Sequence, residues 1–164
     1  MLNRYYELKV IREGLFTTIQ DSGFKKLQHL GLSVSGAMDD YLYILGNYIL
    51  FNKPNTPSIE FSQFGPRLLV KNGTINITIT GDVNFNLIIN KIKLKGLPNK
   101  SYFLQKNDEI DILNTINTNY GYLSIKNGIK TSSFKESSST LIYSNIGGNN
   151  GKKIYNNQYI NGLS

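Results

Sequence analysis

Residues 14–39 read GLFTTIQDSGFKKLQHLGLSVSGAMD, which brings strand-forming, polar and glycine positions together within a short length of chain. Residues 16–19 have the composition of a short strand. Residues 22–36 contain three glycines and no clear periodicity, which predicts a loop. Polar groups in such a segment are costly to bury unless each finds a hydrogen-bond partner. We therefore expect a binding or catalytic site in this segment.

A helix is predicted directly after this segment, over about residues 37–50. Asp39 and Asp40 fall in its first turn, where carboxylates interact favourably with the helix dipole. Apolar residues recur at helical spacing, at Met38, Leu42, Leu45 and Ile49. The sequence Asn-Lys-Pro at 52–54 ends the pattern.

Most of the remaining chain predicts short strands separated by turn residues. The Asn72-Gly73 pair is typical of a tight hairpin turn. The strands expected are 5–12, 59–61, 68–71, 75–80, 85–89, 92–95, 102–104, 110–113, 120–125 and 141–143. This pattern predicts an all-β, mainly antiparallel barrel or sandwich, with one helix that packs on it or closes one end.

The length of 164 residues suits one domain or two very small ones. We assign residues 1–146 to a single barrel-type domain. Residues 147–164 are rich in Gly and Asn and only weakly periodic, so we predict that they form a peripheral tail.

The amino-acid composition argues against several kinds of site and partner. The chain has no cysteine and one histidine, His29, so we expect no disulfide, no thiolate site and no His-rich metal cluster. The net charge of +7 raises the question of nucleic-acid binding, but the lysines are scattered along the chain. In 91–95 they alternate with apolar residues, which fits a solvated strand face or a guarded sheet edge. We therefore expect no nucleic-acid partner.

No segment predicts membrane insertion or secretion. The most apolar stretch, 41–51, is interrupted by Gly46 and Asn47 and is too short to cross a bilayer. The first residues lack the apolar region of a signal peptide. Together with the lack of cysteine, this leads us to expect a soluble, cytoplasmic protein.

Several residues in and near the loop could act on a substrate. Gln20 and Asp21 follow a strand, and Asp21 could orient a substrate nitrogen or act as a base, or it could simply form an Asx turn. The turn at Ser35 and Gly36 leads into the helix, whose first amides could bind an oxygen atom. Ser35 could equally act as a helix cap.

Two later residues are further candidates. Glu60 lies between Ile59 and Phe61, so strand alternation places it on the opposite face, either in solvent or in a cleft. Gly81 could permit close approach of a ligand, or it could belong to an ordinary hairpin turn. The sequence GGNNGKK at 147–153 imitates a phosphate-binding loop but has the wrong spacing, so we interpret it as a surface loop.

Three motifs carry a family resemblance: TTIQDSG at 17–23, QHLG at 28–31 and SGAMD at 35–39. They resemble the entry motif of a carboxyltransferase-like family that includes allophanate hydrolase subunit 2, urea-amidolyase-related proteins and the C subunit of bacterial 5-oxoprolinase. The resemblance runs from about Gly14 to the end of the chain. It implies a cyclophilin-like β-barrel with one helix, corresponding to the N-terminal half of the full-length family member.

The same resemblance implies a function. It predicts a component that contributes to ATP-dependent hydrolysis of a small cyclic amide or ureido substrate. The implied partner is a homologue of the B subunit of 5-oxoprolinase or of allophanate hydrolase subunit 1, and a separate chain could supply the second half. ATP is allowed at the level of the complex, and no metal or biotin site is evident in this chain.

The resemblance also completes the set of candidate site residues. The candidate catalytic residues are Asp21, Asp39 and Glu60. The candidate substrate-binding residues are Gln20, Ser35, Gly36, Asn47 and Gly81.

The sequence departs from the family pattern where arginine or aspartate is usual. Phe24 and Ser138 replace arginines, and Lys130 replaces an acid. Loss of arginine removes the two-pronged recognition of carboxylate or phosphate. The alternative interpretation is therefore a truncated, non-catalytic regulatory or binding remnant of the family.

Overall fold

The computed structural model describes residues 5–24 and 28–164, with eleven strands and two helices. The strands before the middle of the chain are β1 (Tyr5–Arg12), β2 (Thr18–Gln20), β3 (Ser58–Ser62), β4 (Arg67–Asn72), β5 (Thr74–Thr80) and β6 (Val83–Ile89). The later strands are β7 (Ile92–Lys95), β8 (Ser101–Gln105), β9 (Glu109–Thr115), β10 (Tyr120–Ile125) and β11 (Tyr159–Leu163). The helices are α1 (Asp40–Ile49) and the single turn α2 (Gly148–Gly151), and short 3₁₀ turns occupy Gln28–Leu30 and Ile142–Ser144.

The strands form two antiparallel sheets. The six-stranded sheet has the order β11-β1-β4-β9-β6-β7, and the five-stranded sheet has the order β2-β3-β10-β5-β8. The prediction of an all-β, mainly antiparallel chain is therefore confirmed. Strand pairing among the described residues gives two sheets and does not by itself close a barrel.

One hydrophobic core lies between the inner faces of the two sheets. In β1 the buried positions alternate, so Tyr6, Leu8 and Val10 all point inward. Ile77 and Ile79 of β5 enter the same core from the other sheet. Burial of each such side chain contributes about 1.5–3 kcal/mol, and this apolar layer holds the two sheets together.

Helix α1 lies on the outer face of the five-stranded sheet, against β5 and β10. Asp39 caps its first turn by accepting a hydrogen bond from the Leu42 amide at 3.0 Å. The predicted helix is thus present, and the predicted apolar stripe matches its buried face only in part, because Leu42 is buried, Leu45 and Ile49 are half-buried and Met38 is exposed. The helix buries Leu42, Tyr43, Gly46 and Asn47.

The tail differs from its expected peripheral position. Strand β11 pairs with β1, and Ile154 and Ile160 are part of the core. The α2 turn is also packed inside, because Gly148 and Gly151 are buried. The strand predicted at 141–143 is instead the 3₁₀ turn. These core contacts could not be predicted, because residues 147–164 contain few apolar residues and a single alternating pair is a weak strand pattern.

None of the described helices is long and apolar enough to span a membrane.

Candidate functional site

A row of polar side chains crosses the five-stranded sheet on the face that α1 covers. Thr18 pairs with Glu60, Glu60 with Tyr122, and Tyr122 with Thr80. All four side chains are buried. Strand alternation would leave such polar positions in solvent, but here the helix and the loop before it bury them. A polar layer therefore lies beneath the N-terminus of α1.

A cleft of about 430 Å³ opens at one end of this polar layer. It is lined by Phe16, Thr18, Gln20, Ser33, Ser35, Gly36, Ala37, Met38, Glu60, Tyr120, Thr140, Leu141, Ile142 and Tyr143. Four of the predicted site residues, Gln20, Ser35, Gly36 and Glu60, line it together. The other four, Asp21, Asp39, Asn47 and Gly81, are not among its lining residues.

Gln20 is a lining residue of this cleft, and its side chain contains a buried acceptor without a partner. Its Nε2 donates to Thr18 Oγ1 at 3.0 Å and to the Thr140 carbonyl at 3.3 Å. The carbonyl can only accept, so it fixes the orientation of the amide. The Gln20 Oε1 atom is buried and has no hydrogen-bond partner. A buried acceptor without a partner is costly, and an N–H group of a ligand would satisfy it.

Glu60 is the buried carboxyl of the cleft, with 4% of its surface exposed. Its Oε2 accepts from the Tyr122 hydroxyl at 2.7 Å and from the Met38 amide at 2.8 Å. Burial raises the pKa of Glu60, and these two hydrogen bonds oppose the rise. Burial and the nearby Glu60 carboxyl also raise the pKa of Tyr122, which keeps the phenol protonated.

The turn at Ser35 and Gly36 forms one wall of the cleft. Gly36 has a φ of +95°, and a Cβ there would lie 2.9 Å from the Gly23 nitrogen. This close approach of two backbone segments requires glycine. The Ser35 hydroxyl makes a long hydrogen bond of 3.4 Å to the Thr140 carbonyl, so it can turn to donate to a ligand.

The three backbone amides that lead into α1 are already used within the chain. Ala37 donates to the Asp21 carbonyl, Met38 to Glu60, and Asp39 to the Tyr122 hydroxyl. The predicted oxygen-binding pocket therefore cannot rely on these three amides. The Ser35 hydroxyl is the donor that this wall offers.

Asp21 is turned away from the cleft and connects two distant segments. Its Oδ1 accepts from Gly23 N, Ser137 Oγ and Ser139 Oγ at 2.6–2.8 Å. Its Oδ2 accepts from Ser138 N at 2.6 Å. Four donors thus occupy the carboxylate, and it is 2% exposed. The Asp21 carboxylate therefore has a structural role, as the Asx-turn interpretation predicts. It also has long-range partners that this interpretation did not include.

The other three predicted residues also have structural roles. Asp39 is the helix cap described above. Asn47 is buried on α1, where its Nδ2 donates to the Thr56 carbonyl and to Ser58 Oγ, both at 3.1 Å. Gly81 lies between β5 and β6 with a φ of +105°, close to the Tyr120 carbonyl.

Sequence reasoning missed three residues that the structure places beside Gln20 and Glu60: Thr18, Tyr122 and Thr140. The first two lie on strands whose alternate residues are polar, a pattern that normally indicates a solvent face. Thr140 lies outside the strands and helices, and it reaches Gln20 from 120 residues away. His29 is exposed and is not part of the cleft lining.

No group of three or more His, Asp or Glu that could bind a metal ion occurs among residues 5–24 and 28–164.

Comparison with known proteins shows the relationships of the chain. Residues 30–162 match the family described as carboxyltransferase domain, subdomain A and B. Urea amidolyase of Lachancea kluyveri is 32% identical over 150 residues, which is 89% of this chain and 8% of that protein. The C subunit of Haemophilus influenzae 5-oxoprolinase is 31% identical over 140 residues, which is 82% of this chain and 42% of that protein.

A solved structure gives the same relationship. The crystal structure of Kluyveromyces lactis urea amidolyase superposes with a TM-score of 0.87 at 27% identity, over 94% of this chain and 9% of that one. The chain thus spans less than half the length of these relatives. With the match to residues 30–162, these similarities show that the chain belongs to the carboxyltransferase domain family, subdomains A and B.

Proposed function

We propose that this chain binds the amide or ureido group of a small substrate in the cleft, as one part of an ATP-dependent amide-hydrolysing assembly. The observation that supports this most directly is that Gln20, whose Oε1 atom has no partner, and the buried Glu60 carboxyl line the same cleft. Both groups accept hydrogen bonds. A planar amide or ureido group presents N–H donors that match them.

The described lining of the cleft also favours an uncharged ligand. None of its residues is lysine or arginine, so an anion would gain no cationic partner from them. The Ser35 hydroxyl would donate to the substrate carbonyl, opposite the two acceptors. This assigns the nitrogen side of the substrate to Gln20 and Glu60 and the oxygen side to Ser35.

Glu60 is the acid-base candidate of this site. A carboxyl whose pKa is raised by burial can hold a proton closer to neutral pH and exchange it with a substrate nitrogen. Tyr122 would hold Glu60 in place, because its hydroxyl donates to Oε2 and accepts from the Asp39 amide. Asp21 and Asp39 have their carboxylates engaged within the chain and are weaker candidates.

We further propose that ATP acts at the level of the assembly. The partner would be a homologue of the B subunit of 5-oxoprolinase or of allophanate hydrolase subunit 1, with a separate chain supplying the second half of the full-length family member. One relative is by name a subunit of 5-oxoprolinase, which supports the assignment to a complex. The cleft would form one wall of the complete site.

Ligand binding to the isolated chain tests the cleft. We expect urea and 5-oxoproline, titrated separately by calorimetry or by NMR shifts, to bind near Gln20. Gln20→Met keeps the side-chain volume but removes the orphan acceptor, so affinity should fall by about tenfold. Gln105→Met, at an exposed strand position, should have no effect. Binding that is unchanged in Gln20→Met would contradict the proposal.

Turnover requires the assembly. The chain, combined with the homologue of the 5-oxoprolinase B subunit and with the chain that supplies the second half, should cleave 5-oxoproline or a ureido substrate only when ATP is present. Glu60→Gln should lower the rate by at least about a hundredfold, whereas Glu136→Gln, an exposed position, should not. Turnover that is equal in both variants would reject an acid-base role for Glu60.

A non-catalytic binding module is the second candidate. Asp21 and Asp39 favour a binding module, because both carboxylates accept hydrogen bonds within the chain. Two of the three predicted catalytic carboxylates therefore have structural roles. A chain that binds ligand and partner, yet supports no turnover in an assembly that is active with a longer family member, would establish this alternative.

A further inference from the structure

Exposed apolar residues continue along the outward face of α1 from Tyr41 and just past its end to Phe51. Tyr41 is 72% exposed, Ile44 59%, Tyr48 72% and Phe51 84%. We refer to these four residues as the outer stripe. They are separate from the lining of the cleft, so any role of the outer stripe is independent of ligand binding there.

A solvated helix normally carries charged or polar residues on its outer face. Residues 41–51 contain no Asp, Glu, Lys or Arg. Three of the four outer-stripe side chains are aromatic, and each can bury about 150–250 Å². The stripe therefore gathers apolar surface in one place, and contiguous exposed apolar surface is a feature of interaction sites.

Phe51 provides a second, independent observation. It follows α1 with a φ of 52°, in the left-handed region that favours Gly or Asn at this position. A phenylalanine in this conformation is strained, and its ring gains little burial in return. Its backbone is nevertheless fixed, because its amide donates to Tyr48 and Lys126 Nζ donates to its carbonyl at 2.8 Å. The fixed backbone thus places the Phe51 side chain in an exposed position.

The spacing of the outer stripe is symmetric about Gly46. Tyr41 and Phe51 lie five residues to either side of Gly46, and Ile44 and Tyr48 lie two residues to either side. In an antiparallel helix pair, such a pattern places Tyr41 opposite the partner's Phe51 and Ile44 opposite the partner's Tyr48. Each contact then occurs twice, which is the property of a two-fold interface.

The charges that flank the stripe fit the same arrangement. Asp40 is exposed at the start of α1, and Lys53 is exposed just beyond its end. An antiparallel pair brings Asp40 near the partner's Lys53 at both ends of the interface. The two helix dipoles also run in opposite directions, which is favourable.

We propose that the outer stripe of α1 is the interface between two copies of this chain, with the two helices antiparallel about an axis at the level of Gly46. A partner of this kind covers the four exposed side chains and pairs the flanking charges. The spacing of the stripe allows each contact to form twice in such a pair.

Oligomeric state under near-physiological salt is the first test. Sedimentation equilibrium of the full chain should give a dimer, since at about 0.15 M salt the repulsion between two net charges of +7 is screened beyond about 8 Å. Ile44→Glu should raise the dissociation constant by about tenfold or more. Ile92→Glu, at a comparably exposed apolar position on β7, should leave it unchanged.

Cysteine pairing tests the register, because the natural chain has no cysteine. In an antiparallel pair centred at Gly46, the two copies of Tyr41 lie about 15 Å apart along the helix axis, from a rise of about 1.5 Å per residue. In the antiparallel pair, two copies of Tyr41→Cys cannot form a disulfide, which needs Cα atoms within about 7 Å. Mixing Tyr41→Cys with Phe51→Cys should give a cross-linked dimer under mild oxidation.

Three outcomes would overturn the proposal. The wild-type chain could stay monomeric at high concentration. Either cysteine variant alone could cross-link as readily as the mixture, which would indicate a parallel pair. Ile92→Glu could dissociate the dimer as strongly as Ile44→Glu, which would place the interface elsewhere.

Discussion

The Asp21 carboxylate could either bind a substrate or stabilise the fold, and its hydrogen bonds show that it stabilises the fold. Ser137, Ser138 and Ser139 donate to Asp21 from more than a hundred residues away along the chain. Hydrogen bonds to a charged acceptor are among the stronger ones. Asp21 therefore attaches the loop after β2 to the segment that precedes α2.

We predict that Asp21→Asn lowers the free energy of unfolding by about 2–4 kcal/mol, because one amide –NH₂ would face donors instead of accepting from them. Asp40→Asn, at an exposed position in the first turn of α1, should cost at most about 0.5 kcal/mol. Urea denaturation of both variants measures the difference. Equal, small losses would show that the Asp21 network contributes little to stability.

Glu60 makes stability depend on pH in a defined direction. Burial raises its pKa above the usual 4.5, so the folded state binds the proton more tightly than the unfolded state. This contribution is fully present below the unfolded pKa and is lost as pH rises through the folded pKa. Relative to Glu60→Gln, the wild-type protein should therefore lose stability as pH rises from about 4.5 towards neutral.

Thermal unfolding of the two proteins at a series of pH values would measure this difference. Glu136→Gln is the matched control, since Glu136 is exposed and should give a curve parallel to wild type. A wild-type stability that rises with pH relative to Glu60→Gln would mean that the two hydrogen bonds to Oε2 outweigh burial.

At the scale of the secondary-structure elements, a glycine lets α1 pack closely against the sheet. Gly46 faces Ser124 of β10, and a Cβ at this position would lie 2.6 Å from Ser124 Oγ. That hydroxyl is already hydrogen-bonded to Ser58 Oγ at 2.8 Å. The absence of a side chain at 46 therefore lets the helix pack directly on the polar layer that contains Glu60 and Tyr122.

Gly46→Ala should accordingly destabilise the protein by about 1–2 kcal/mol, although alanine favours helices by about 1 kcal/mol over glycine. In a Ser124→Ala background the obstructing oxygen is absent, and the same substitution should become neutral or stabilising. A double-mutant cycle in urea measures this coupling. A gain in stability from Gly46→Ala alone would contradict the packing argument.

Across the whole molecule, strands from the two ends of the described chain meet in one sheet. Strand β1 lies between β4 and β11, and Ile160 sits opposite Leu8. The last strand is thus part of the central structure rather than an appendage. Closing so long a connection carries an entropic cost, which the buried side chains of β11 must offset.

Ile160→Ala should lower the free energy of unfolding by about 2–4 kcal/mol, because it leaves a cavity in the core. Leu163→Ala lies on the same strand but is 63% exposed and should cost less than about 0.5 kcal/mol. Chemical denaturation of the pair compares them directly. A small loss for Ile160→Ala would mean that the terminal strand is indeed peripheral.

The candidate site could be predicted only in part. Gln20, Ser35, Gly36 and Glu60 were identified from residue type and local position, and the structure brings them to one cleft. Whether they bind a substrate stays a prediction. Strand alternation did not decide whether Glu60 faces solvent or a cleft, because a strand pattern gives the face on which a side chain lies and not what covers that face.

The sequence by itself determined the all-β class, the helix after residue 39 and most of the turns. These features depend on alternation, helix capping and turn chemistry, all of which act within a few residues. Only the tertiary structure decided that distant serines donate to Asp21, that α1 buries the polar face around Glu60, and that no other segment of the described chain covers the outer stripe. Those outcomes depend on contacts between segments far apart in the chain, which no local pattern records.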